Sequence, residues 1–167
     1  SSLFHLHPHH YLDFLSFALS PPRGEALSSH LDSLSMFGLS TEELAVFRAL
    51  STPAKIQDFL DGFPSNLSRY SESCSSPRMA LRKGRAHCIE GAFLAATALW
   101  LHGERPILMD LKAIDPDSDH VVTLFKRDGY WGAISKSNHP VLRYRDPIYR
   151  TLRELALSYF HEYVYVQ

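Results

Sequence analysis

Apolar residues recur at helical spacing through the first half of the chain, then alternate or run together in the second half. The first pattern buries one face of a helix, whereas the second belongs to strands and to elements buried on every side. Two short helices are predicted, over His10 to Leu19 before Pro21-Pro22 and over Ala26 to Phe37 before Gly38. Ser40-Thr41-Glu42-Glu43 reads as a capping box, because the Ser40 hydroxyl and the Glu43 carboxylate can each satisfy a free N–H at a helix start. Leu44, Phe47 and Leu50 follow at helical spacing. Thr52-Pro53 opens another helix, with Ile56, Phe59 and Leu60 on one face and Gly62 at its end. From Phe63 to Ala86 the chain is rich in Ser, Asn, Pro and Arg, and a long loop is expected there.

Cys88 to Leu101 is nearly all apolar or small, which predicts a helix in the middle of a domain, stopped by Gly103. Strands are expected over Pro106 to Leu111, His120 to Phe125 and Tyr130 to Ile134. Asp128-Gly129 is a strong two-residue hairpin signal between the last two. A polar stretch through Asp146-Pro147 then precedes a last helix, Ile148 to about Glu162, whose apolar face is Leu152, Leu155, Tyr159 and Phe160. Helices, a buried helix, a meander and a closing helix make an α+β fold. The expected organisation is a helical extension over residues 1–51 and a core over 52–167, one compact domain overall.

Composition removes several function classes. Lys+Arg 17 against Asp+Glu 18 leaves a net charge of -1, so no whole-molecule basic field attracts nucleic acid. No run reaches the roughly 18 to 20 apolar residues that cross a bilayer. Near the N-terminus, histidines and Asp13 stand where a signal peptide carries lysines and an unbroken apolar core, so a cytoplasmic protein without nucleic-acid or membrane partners is expected. His5, His7, His9 and His10 share no second cluster at ligand spacing, so neither metal nor cofactor is expected. Tyr159, Phe160, Tyr163 and Tyr165 suit either the core or a homodimer surface. Two cysteines, Cys74 and Cys88, cannot form a disulfide framework, so any interest in them is chemical.

Cys88 stands at the predicted start of the buried helix, directly after Arg82-Lys83-Gly84-Arg85-Ala86-His87. The helix N-terminus and the neighbouring cations both favour a thiolate, the form that attacks carbonyl carbon. A free cysteine is also a common inert core residue, and what separates the two readings is the downstream histidine. His120 begins a strand that a hairpin folds back on, so cysteine and histidine can meet in space and exchange the thiol proton.

Gly84-Arg85-Ala86-His87-Cys88, Leu101-His102-Gly103-Glu104-Arg105-Pro106, Asp119-His120-Val121-Val122 and Asp128-Gly129-Tyr130-Trp131 occur in this order. Together with the upstream Thr52 to Leu60 helix they resemble the transglutaminase-like superfamily, the papain-related group with a Cys-His-Asp triad, and most of all its bacterial cysteine-protease type. The resemblance covers about residues 52 to 138. It implies a papain/transglutaminase-like core in which the cysteine-bearing helix packs on a small antiparallel sheet. It also implies a cysteine hydrolase or acyltransferase that acts on an amide or peptide bond through a Cys88 thioester, with His120 as general base and acid.

The third triad position departs from the family. Counting from Trp131, the aspartate's place is Ser135, which can hold an imidazole N–H but brings no charge. With a two-residue turn Arg127 faces Tyr130, and Ser135 then falls on the face of His120. Asn138 points away unless a bulge shifts the register, although asparagine is chemically a good imidazole orienter. Both stay open. Gln57, His87 and Trp131 are weaker candidates for the substrate or oxyanion side, Gln57 as a second oxyanion donor or else a solvated helix residue, His87 as a group that tunes the thiol or else a loop residue. The missing aspartate leaves a second class, a catalytically inactive transglutaminase-like binding module.

Overall fold

The computed structural model describes residues 38–64, 74–113, 118–160 and 162. The two helices predicted before Gly38, the N-terminal histidines, Tyr163 and Tyr165 lie outside them. Helix α1 (Thr41–Ala49) begins with the capping box read from the sequence: Glu43 N–H donates to Ser40 Oγ at 3.2 Å, and Ser40 N–H donates to Glu43 Oε2 at 2.8 Å. Helix α2 (Pro53–Asp61) starts on the Thr52 hydroxyl with proline in its first turn, where the missing N–H costs nothing.

A short helix α3 (Pro77–Lys83) replaces part of the loop expected from Phe63 to Ala86. Its signals were present but brief. The Ser76 hydroxyl caps the start, Pro77 follows, and Gly84 closes the helix at φ 59°, in the left-handed region that glycine enters without penalty. Helix α4 (Cys88–Leu101) has the predicted bounds. It ends in a Schellman turn, with Gly103 at φ 82° and Glu104 N–H donating to the Leu99 carbonyl at 2.9 Å.

Strands β1 (Ile107–Leu111), β2 (His120–Arg127), β3 (Tyr130–Ile134) and β4 (Arg145–Tyr149) form one antiparallel sheet in sequence order. Arg127 pairs with Tyr130 and Thr123 with Ile134, the register that a two-residue Asp128-Gly129 turn imposes. Both turn residues have positive φ, 51° and 87°. Strand β4 corrects the expectation of a polar stretch running into a helix at Ile148. Asp146-Pro147 lies inside an edge strand, where proline's missing N–H need not join a ladder, and helix α5 (Leu152–Phe160) starts later. Gly132 admits this strand: a Cβ there would lie 2.8 Å from the Arg145 carbonyl oxygen and 2.5 Å from the Phe125 ring.

The sheet separates two apolar layers. On one side α4 packs with Phe125 and Ile134 and with residues of α1, α2 and α3. Leu94, Leu99 and Leu101 of α4 are buried, each contributing about 1.5–3 kcal/mol. Leu44, Phe47 and Leu50, from the segment assigned to the extension, share this cluster. On the other side Leu155 and Tyr159 of α5 cover Met109, Val122, Leu124 and Ala133, so Tyr159 is a core residue. Among the described residues no helix is long and apolar enough to cross a membrane, and no group of His, Cys, Asp or Glu is arranged to hold a metal ion.

Candidate active site

Cys88 is the first residue of α4 and is partly buried. The helix starts there because His87 is extended and the Glu90 carboxylate reaches back, its Oε2 accepting His87 N–H at 2.8 Å. The other Glu90 oxygen accepts Ser75 N–H at 2.9 Å, tying the helix tip to the segment before α3. Burial pushes the Glu90 carboxyl up, but these hydrogen bonds and Lys83 outweigh it and hold the group below the usual carboxylate range. Its charge is spent on backbone N–H groups.

Strand β2 delivers His120 to the end of the sheet where α4 begins. The side chain is buried, with Nε2 2.8 Å from Ser135 Oγ and 3.1 Å from the Leu142 carbonyl oxygen. Ser135 donates its only hydroxyl proton to that same carbonyl at 2.6 Å. Nε2 therefore faces two acceptors and carries the ring proton, an assignment that follows from the hydrogen-bond network. His120 also lies close enough to Cys88 to help lower its thiol, and Nδ1 is the ring nitrogen left to face the sulfur. The second strand, β2, is pinned to the cysteine helix by Thr123 Oγ1, which donates to the Ala92 carbonyl at 2.6 Å.

Ser135, just past β3, is fixed from behind by Gln57 of α2. Ser135 N–H donates to Gln57 Oε1 at 3.0 Å, and Gln57 Nε2 donates to the Ser135 carbonyl at 2.9 Å and to Asp61 Oδ1 at 3.0 Å. Gln57 is 6% exposed, which corrects the solvated helix face, and both amide hydrogens are committed, which removes it as an oxyanion donor. The loop after Ser135 is fastened to the end of α2 as well. Lys136 Nζ donates to the Phe63 carbonyl at 2.6 Å, and Arg143 lies 3.7 Å from Asp61. Gly91 makes room for Lys136, whose Cβ is 2.4 Å from where a Gly91 Cβ would sit.

The thiol is shifted strongly. Burial pushes it up, but interactions with the His120 and His87 imidazoles and with the Val121 backbone N–H outweigh burial and bring it down to about 6. His87 is exposed, with Nδ1 3.2 Å from Cys88 Sγ, and that contact pushes the imidazole's own pKa up. Cys74 is exposed on the segment before α3; burial and the charges of Glu90 and Cys88 push its thiol up, away from reactivity.

Cys88, His120, Ser135, Gln57 and His87 are thus brought together, although Gln57 acts at one remove. Asn138 is exposed in the loop after β3, and the His120 Nε2 position is occupied by Ser135 and Leu142. Trp131 lies at the turn end of β3, about 13 Å along the strand from Ser135, with Lys126 Nζ 5.0 Å from its ring. Sequence reasoning missed the Leu142 carbonyl, carried by a 3-10 turn over Pro140–Leu142, because a backbone acceptor leaves no mark in residue type. No family model and no curated protein matches the chain.

Proposed function

We propose that the protein is a cysteine-dependent hydrolase or acyltransferase acting on an amide or peptide bond, on a papain/transglutaminase-like core. The observation that carries this reading is a half-buried thiol brought to about 6 beside an imidazole whose tautomer is fixed. His120 Nδ1 takes the proton from sulfur, and the thiolate attacks the carbonyl carbon to form the C–S bond. When the C–N bond breaks, the same imidazole returns the proton to the leaving nitrogen. Water or a second amine then gives up a proton to His120 and displaces sulfur. The Cys88 backbone N–H, at the first helical position, has no acceptor within the helix and suits the developing oxyanion.

Ser135 and the Leu142 carbonyl take the orienting role that an aspartate has in the family the sequence resembles. They fix the tautomer without supplying a full negative charge, which predicts a slower enzyme rather than an inert one. The test is acylation of the full chain by 4-nitrophenyl acetate, followed by peptide mass spectrometry. An acetyl thioester on Cys88, absent in Cys88→Ala and strongly reduced in His120→Ala, is the expected result. A Cys88 that is not acylated, and is alkylated by iodoacetamide only near pH 8.5 like a free thiol, leaves a binding module instead.

A further inference from the structure

The Cys88 thiol is influenced by two imidazoles from opposite surroundings. His120 is buried, its Nε2 locked between Ser135 Oγ and the Leu142 carbonyl. His87 is exposed and puts Nδ1 3.2 Å from Sγ. Among the groups whose hydrogen bonds to His120 are described, none is a carboxylate. The exposed ring of His87 keeps its hydration when charged.

We infer that His87 is a second catalytic acid–base group of this site, taking the thiol proton in place of His120 in the resting enzyme. The inference rests on the reading of Cys88 as the nucleophile. In the resting step the S–H bond breaks and the proton moves to Nδ1 of His87, giving a thiolate–imidazolium pair. During acylation the His87 imidazolium gives its proton to the leaving nitrogen; in deacylation His120 accepts the proton of the incoming water or amine, and as the C–S bond breaks that proton passes through the sulfur to His87 and restores the resting pair. The charged and titratable groups around His87 agree with this. Cys88 and Glu90 on α4 both favour its cationic form, with Glu90 Oε2 accepting its backbone N–H, while Cys74 lies on the facing segment with its thiol pushed up and Lys83 ends α3 against Ser75. A second imidazole thus makes good the carboxylate that the third position lacks.

The experiment measures the pH dependence of iodoacetamide alkylation at Cys88, read by peptide mass spectrometry on the full chain. Wild type is compared with His87→Asn, His120→Asn and the double variant. His87 is exposed and asparagine is a favourable residue at a helix N-cap, so His87→Asn keeps the fold, which circular dichroism checks. The expected result is a midpoint near 6 in wild type, raised by about one pH unit in His87→Asn, which is roughly a fivefold loss of thiolate at pH 6. The double variant is expected to titrate at or above the ordinary thiol value of about 8.5. A His87→Asn midpoint equal to that of wild type overturns the role of His87 while Cys88 remains a nucleophile. A wild-type midpoint near 8.5 overturns both.

Discussion

Gln57 offers the sharpest measure of how His120 is held in place. Its amide lies against the backbone N–H and carbonyl of Ser135, a residue with no exposure to water. Gln57→Leu keeps the volume but leaves both Ser135 groups without a partner. Each buried orphan costs roughly 1–3 kcal/mol, so a loss of about 2–6 kcal/mol is expected. For a chain of this length that is a fall of at least about 4 °C in Tm. Gln57→Glu separates the hydrogen bonds from the packing. The introduced carboxylate can still accept from Ser135 N–H, but its second oxygen faces the Ser135 carbonyl and Asp61. Both neighbours disfavour the charged form, so its folded pKa rises above the unfolded value of about 4.3. A carboxyl raised in the folded state costs nothing below its unfolded pKa and costs progressively more as pH climbs through the folded one. The deficit of Gln57→Glu against wild type is therefore expected to widen between pH 4.5 and pH 7.5, read by urea denaturation at each pH. A Gln57→Leu loss under 1 kcal/mol, or a Gln57→Glu deficit flat with pH, refutes the clamp.

Three further substitutions probe the same frame. Ser135→Ala removes the hydroxyl but leaves Leu142 to accept from His120 Nε2; stability is expected to fall by about 1–2 kcal/mol while the pH midpoint of Cys88 alkylation moves by less than one unit, and a return to the free-thiol midpoint would show that the carbonyl cannot hold the tautomer. Gly91→Ala gains about 1 kcal/mol of helix propensity but drives a methyl group into Lys136 and towards Leu60, so a net loss of about 1–2 kcal/mol is expected in a thermal melt, and a rise in Tm would mean that the Lys136 chain moves aside without cost. Thr123→Val keeps the shape and deletes the bond to the Ala92 carbonyl; about 1 kcal/mol of stability should go, together with some of the Cys88 acylation rate, and an unchanged rate would mean that β2 needs no tie to α4.

Features decided by neighbouring residues were readable in the chain. The capping box at Ser40, the bounds of α4 and the Asp128-Gly129 turn depend on residues a few places apart, and the turn alone put Ser135 on the face of His120. Features set by distant partners were not. Strand β4 carries a proline and no clean alternation; it exists because Gly132 lets its backbone approach. Gln57 looked like a solvated helix residue, since its partner Ser135 lies far along the chain and is engaged through its backbone. The α3 helix was hidden by its flanks, whose Ser and Pro are at once loop composition and helix-start residues.

The meander order of the sheet has a consequence for when the site comes into being. Each strand pairs with its neighbour in the chain, so closing the sheet spans short loops and little chain entropy stands in its way. The contacts that perfect the site are of the other kind: Gln57 to Ser135 and Thr123 to Ala92 join residues 78 and 31 places apart in the chain. Strand pairing is then expected to precede the arrival of α2 and α4 during refolding, and thiol reactivity becomes a clock for the final docking. In a refolding experiment the sheet signal should rise first, and rapid alkylation of Cys88 at pH 6.5 should appear only afterwards.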